Sequence, residues 1–134
     1  MGTLKEAREI FSKDLYATEL SGIVIDEIGE DYAKCSMKLT PQHKNAYGGV
    51  MGGAIYTLAD FAFAVASNYE KELASVSLTS QASFLSSSKG SVLFAEANLI
   101  KDGKRNCFFE VAITDDLGKN IARVLFTGAH VPFK

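Results

Sequence analysis

The chain has 134 residues, 47% hydrophobic and 22% charged, with a formal net charge of -2. That length and balance describe one soluble domain able to bury a core. The scattered mixture of basic and acidic side chains leaves no electrostatic footprint for nucleic acid or for an anionic membrane surface.

The first stretch, MGTLKEAREIFSKD, alternates charged with apolar residues and has no continuous apolar run, so it does not read as a signal peptide and a cytoplasmic location is expected. Residues 4–13 predict a short amphipathic helix with Leu4, Ala7, Ile10 and Phe11 on one face, opened by Thr3 and Glu6 as a capping box. Ser21–Glu27 and Tyr32–Leu39 alternate as half-buried strands around a Gly-Glu-Asp turn, the pattern of a hairpin. The loop PQHKNAYGG over 41–49 leads into MGGAIYTLADFAFAVASNYEKEL, which predicts a helix from about Gly52 to about Glu72. Its middle is apolar nearly all round, as in a helix buried in the body of a protein, and Asp60 interrupts a run too short to cross a bilayer. Four more strands are expected at Val76–Leu85, Ser91–Lys101, Asn106–Thr114 and Ile121–His130, with Asp102-Gly103 the strongest hairpin signal. One helix, two strands, a long buried helix and four strands add up to an α+β fold, with one antiparallel sheet expected to curl around one apolar helix.

Cys35 and Cys107 lie in strand-like segments outside any CxxC or metal-ligand grouping and read as free thiols of a reducing compartment. Asp60 is the sharpest chemical feature. Its neighbours Leu58, Ala59, Phe61 and Ala62 give an unpaired carboxylate no packing rationale, so it reads as a general base or nucleophile in a mostly dry cleft, against the plainer alternative of a loop or interface cap. Gly48, Gly49, Gly52 and Gly53 surround the start of the same helix, whose first-turn N–H groups are free to hold an anion or developing oxyanion. The segment has neither the GK[ST] of a Walker A loop nor GxGxxG spacing. Gly52 and Asp60 are eight residues apart, roughly 12 Å along a helix axis, whereas an oxyanion donor and a base must both stand within about 3 Å of the reacting atoms. If both act in one reaction, the site lies between two chains, Gly52 from one and Asp60 from the other, and a symmetric dimer holds two such sites. Asn45 precedes the helix and is a candidate to position a water or carbonyl, with a loop-stabilising Asx-turn as the alternative; Gln42 and His43 are weaker candidates, and His130 reads as a strand-edge residue. The two histidines have no spaced carboxylate partners, so no metal site is expected. There is also no GxSxG elbow.

The segment HKNAYGGVMGGAIYTLADFAFAVASN, residues 43–68, together with the strands from Val76 onward, resembles the PaaI-type (phenylacetic acid degradation) acyl-CoA thioesterases of the hotdog fold. The resemblance covers nearly the whole chain beyond about residue 20. It implies a sheet wrapped around the long helix, homodimers paired edge to edge, often as half of a homotetramer, and cleavage of acyl-CoA at sites between subunits, with coenzyme A as part of the substrate and no metal or other cofactor. It further implies Asp60 as general base or nucleophile, Gly52 as the N–H that polarises the thioester carbonyl, Asn45 near the leaving sulfur and water, and Ser77 as a looser match to a water-holding polar position. Met51 stands where many members have a histidine and cannot donate a strong hydrogen bond or take a proton. Substrate contacts are expected from Met51, Gly53, Tyr47, Tyr56 and Phe84, with core packing an equal account of the aromatics; Lys101, Lys104 and Arg105, or Lys89, are candidates for the phosphates, with a merely solvated turn the preferred reading. Two rivals stay open: an acyl-CoA binding or regulatory module without efficient hydrolysis, and a hydratase, which would want a histidine beside the carboxylate.

Overall fold

The computed structural model describes residues 2–133. Helix α1 spans Leu4–Phe11, opened by Thr3, whose hydroxyl accepts the Glu6 N–H at 3.2 Å. The carboxylate of Glu6 accepts a hydrogen bond from the Thr3 hydroxyl rather than from the Thr3 N–H, so only half of the expected capping box forms. A π-helical turn at Tyr16–Leu20 follows, which the sequence pattern did not announce. Strands β1 (Ile23–Gly29) and β2 (Tyr32–Lys38) form the expected hairpin, with Asp31 in the left-handed region at φ 53° to close the turn. A 3-10 turn at Pro41–His43 leads through the loop into helix α2, Gly52–Asn68. Strands β3 (Ala74–Phe84), β4 (Val92–Asp102), β5 (Asn106–Asp115) and β6 (Asn120–Val131) complete the chain.

Helix α2 stops short of Glu72 because the Asn68 side chain redirects the backbone. Its amide donates to Ala64 O at 2.9 Å and Ser75 O at 3.2 Å, and its Oδ1 accepts the Ser75 N–H at 2.7 Å, so the helix end is stitched to the start of β3. Glu70, at φ 56°, makes the intervening bend.

The six strands form one antiparallel sheet in the order β1-β2-β4-β5-β6-β3. The curled sheet wrapped around the helix is not what the chain adopts. The sheet is not strongly curled; it is open, with β1 and β3 each paired on one side only, and it covers α2 from one face. Side chains along β3 from Val76 to Gln81 are exposed on both faces of the strand. A stripe of α2 comprising Gly53, Tyr56, Thr57, Asp60 and Ala64 is consequently left incompletely covered. Among the described residues no helix is long and apolar enough to cross a membrane.

The core lies between α2 and the inner sheet face, where alternate residues Leu93, Ala95, Ala97 of β4 and Cys107, Phe109, Val111, Ile113 of β5 point inward. Phe63 is its centre: its ring stacks on Phe126 with centroids 4.6 Å apart and meets the edge of Phe109 at 5.5 Å. Phe63→Ala is expected to cost about 3–5 kcal/mol of stability, read as a lower urea midpoint with unchanged slope.

Candidate active site

The loop before α2 is folded by its own polar groups. The Asn45 N–H donates to Gly49 O at 2.7 Å, and Asn45 Oδ1 accepts the N–H groups of Tyr47 at 2.9 Å and Gly49 at 3.0 Å. The Asx-turn reading of Asn45 therefore holds for its oxygen, while its Nδ2 protons are left for another partner. His43 is buried and structural. A backbone N–H can only donate and a carbonyl only accept, so Nδ1 takes the Thr40 N–H at 3.0 Å and Nε2–H donates to Ser21 O at 2.9 Å, which fixes the tautomer.

Met51 is the N-cap of α2, in extended conformation and without a side-chain cap. Its carbonyl accepts from Ala54 at 3.0 Å and Ile55 at 3.2 Å. Among the described residues nothing accepts the N–H groups of Gly52 and Gly53, the first two of the helix. Gly52 backs against the Phe84 ring, which a Cβ at that position would meet at 3.3 Å. Asn45, Gly49, Gly52, Phe84 and the Ser86–Ser88 segment line one groove of about 350 Å³. β3 brings these serines here by running antiparallel to α2.

Asp60 stands elsewhere. It faces a separate hollow of about 310 Å³ with Asp14, Leu15, Tyr16 and Thr57. Among the described residues no donor reaches its carboxylate. Its pKa is raised, first by burial and then by the negative charge of Asp14. Asp14 and the π-helical turn beside it had no signal in the sequence, because their role depends on the N-terminal segment folding back over α2.

The other predicted residues scatter around these two places. Tyr56 hydroxyl and Ser80 Oγ are 2.6 Å apart, joining the helix to the edge strand. Ser77 is exposed on β3 beside a bulge. Tyr47 is 98% exposed and Met51 56%, so within one chain neither lines a pocket wall. The structure thus brings Asn45, Gly52 and Phe84 together, and separates them from Asp60 and Ser77. Lys89 follows the groove-lining Ser88, whereas Lys101, Lys104 and Arg105 lie at the far end of the protomer, near the C-terminal end of α2. Among the described residues no group of three or more His, Cys, Asp or Glu is placed to hold a metal ion.

His130 is not on a strand edge: β6 is flanked by β5 and β3. It also has a carboxylate partner, Asp102, 28 residues distant in sequence and 2.7 Å away in space.

Residues 17–129 match the family model described as a domain of unknown function (DUF4442). The chain is 35% identical over 104 residues to a putative esterase of Archaeoglobus fulgidus, covering 78% of this chain and 68% of that protein. It is 32% identical over 125 residues to the acyl-coenzyme A thioesterase PaaI of Escherichia coli, covering 92% and 86% respectively. The structure of the E. coli PaaI protein from the phenylacetic acid degradation operon matches with a TM-score of 0.83 at 25% identity, over 96% of each chain. A hypothetical thioesterase of Streptococcus pneumoniae, solved with coenzyme A, shares the fold at a TM-score of 0.80 and 24% identity, over 91% of this chain and 98% of that one. The chain belongs to the PaaI-type acyl-CoA thioesterase family of the hotdog-fold superfamily.

Proposed function

We propose that the protein hydrolyses acyl-CoA thioesters to a carboxylic acid and coenzyme A at two equivalent sites of a symmetric homodimer, each pairing the Gly52 N–H of one chain with Asp60 of the other. The observation that carries this reading is the separation of the site within one chain: a free helix-start N–H in one groove and an unpartnered carboxylate of raised pKa two turns along the same helix in another.

The unpaired edge of β3 and the uncovered stripe of α2 supply a surface for a second copy. Pairing of two β3 edges antiparallel would satisfy both rows of free backbone groups and bring the two stripes together. The Tyr56–Ser80 contact puts Ser80 level with the point halfway between Gly52 and Asp60. A two-fold axis near Ser80 therefore carries Asp60 and Ser77 of the partner subunit to the Gly52 groove.

In that arrangement the thioester carbonyl oxygen takes the Gly52 N–H, aided by the positive end of α2, and the developing oxyanion is held where it forms. Asp60 either deprotonates an attacking water or adds to the carbonyl carbon to give an anhydride that water opens. Both routes need it ionised, so its raised pKa places the acid limb of the rate profile above the ordinary carboxylate range. The Nδ2 protons of Asn45 are disposed to stabilise the leaving thiolate, and Ser77 to hold the water. Phe84, Tyr56 and Gly53 form the wall and floor for the acyl thioester, with Tyr47 and Met51 on the exposed rim. Met51 brings no proton to the reaction, so the leaving thiolate is protonated by solvent.

Release of free thiol from a panel of short, medium, long and aromatic acyl-CoAs tests the reading. Turnover on some member supports it; binding of acyl-CoA with no thiol release anywhere on the panel selects the non-hydrolytic module, with Met51 as its cause.

A further inference from the structure

At the end of the core away from the Gly52 groove, the fold assembles three groups that no sequence spacing relates. His130 Nε2 lies 2.7 Å from Asp102 Oδ1, and His130 Nδ1 lies 3.2 Å from Ser75 Oγ. Asp102 ends β4, His130 is near the end of β6, and Ser75 is the second residue of β3. Chemistry fixes the proton positions. An ionised carboxylate only accepts, so in the neutral ring Nε2 carries the hydrogen and Nδ1 keeps a lone pair, which the Ser75 hydroxyl can take as its acceptor. A serine hydroxyl hydrogen-bonded to a base, itself oriented by a carboxylate, is the arrangement that activates a nucleophile. The ring is used in the reverse sense from the usual serine hydrolase, with Nδ1 rather than Nε2 facing the hydroxyl.

These groups are not sealed in the core. Ser75, 7% exposed, is part of the wall of a cavity of about 390 Å³, within the size range of ligand pockets. Leu99 and Phe109 give that cavity an apolar side. Asp31, Lys71 and Lys104 are also on its lining, from the β1–β2 turn, the α2–β3 link and the β4–β5 turn. Asp31 and Lys71 pair with each other, whereas among the described residues Lys104 has no ion-pair partner.

We propose that this cavity is a second acyl-transfer site, independent of Asp60, in which Ser75 is the nucleophile, His130 its base and Asp102 the positioning residue, and that it takes small carboxylic esters with an apolar acyl group. Ser75 Oγ bonds to the ester carbonyl carbon while its proton passes to Nδ1. The tetrahedral species then collapses, the C–O bond to the alcohol breaks, and the alcohol leaves with the His130 proton. Water releases the acid by the same steps in reverse order, so no oxidant, reductant or cofactor is required.

The test uses the full-length protein and a small alkyl fluorophosphonate, which transfers its phosphonyl group to an activated serine with loss of fluoride. Intact-mass spectrometry and peptide mapping are expected to show one adduct per chain, on Ser75. Ser75→Ala should abolish it, with an unchanged thermal midpoint showing that the fold is kept. Asp102→Asn, at a half-exposed position, should slow labelling at least about tenfold by no longer requiring the proton on Nε2. Asp60→Asn should label at the wild-type rate, which separates this site from the thioesterase reading. Absence of an adduct, an adduct that survives Ser75→Ala, or labelling indifferent to Asp102→Asn would overturn the proposal and leave the three residues as a tie between strand ends.

Discussion

Asp60→Asn is expected to lower thioesterase turnover at neutral pH by at least about 100-fold while raising the thermal midpoint by a few degrees. The two effects have one cause. The carboxylate sits half-buried without a donor and beside Asp14, an arrangement that penalises its ionised form. Because its folded-state pKa is raised, the charge destabilises the folded chain at pH values above that pKa. The deficit shrinks as pH falls through the folded value and is gone below the unfolded one, near about 3.9. Asparagine keeps the shape and removes the charge, so its stability gain should be largest at neutral pH and vanish in acid. Stabilisation at the expense of activity is the signature of a residue retained for chemistry. If Asp60 were instead an interface cap, the same substitution would leave turnover within a few fold and would weaken the assembly.

Gly52→Pro is the second large effect. Proline is well accommodated at the first helical position, where the N–H has no intrahelical partner, and Met51 already has φ -64° and ψ 135°, the extended conformation that a residue before proline prefers. The Cβ it adds would meet the Phe84 ring at 3.3 Å, a side chain that can yield. The substitution therefore deletes one N–H with little other change, and a loss of about 10²–10³ in kcat is expected, the usual cost of one oxyanion donor. KM should move little, because the interaction grows only as the carbonyl becomes an oxyanion. Gly52→Ala, which keeps the N–H, is the control and should retain most activity. A proline variant as active as wild type would remove the backbone N–H from the mechanism.

The parts of the fold written in local pattern were readable in the sequence. The alternation in Tyr32–Lys38, the Asp102-Gly103 turn and the apolar run after Gly52 each gave an element within a few residues of where it lies. What was not readable depends on tertiary partners. The end of α2 is set by the Asn68 side chain meeting Ser75, the π-helical turn by packing of the N-terminal segment against α2, and the open sheet by β1 and β3 each having one partner strand. The same holds for the site. Asp60 and Gly52 stood out because an acid in an apolar helix and a glycine pair at a helix start break local rules. Asp14, Ser80 and the Ser86–Ser88 segment break none, and the Asp102–His130–Ser75 cluster joins residues 27 or more positions apart. Only the strand register makes them neighbours.

The most direct measurement of the shared-site claim is complementation between two disabled chains. Asp60→Asn and Gly52→Pro are each nearly inactive alone, but a mixed dimer contains one site with the intact Gly52 of the first chain and the intact Asp60 of the second. Its other site lacks both. Co-expressing the two variants with different affinity tags and purifying through both is therefore predicted to restore roughly half of the wild-type turnover per dimer. Mixed dimers as inactive as either parent would contradict the account, because they would show that Gly52 and Asp60 do not meet across the subunit interface.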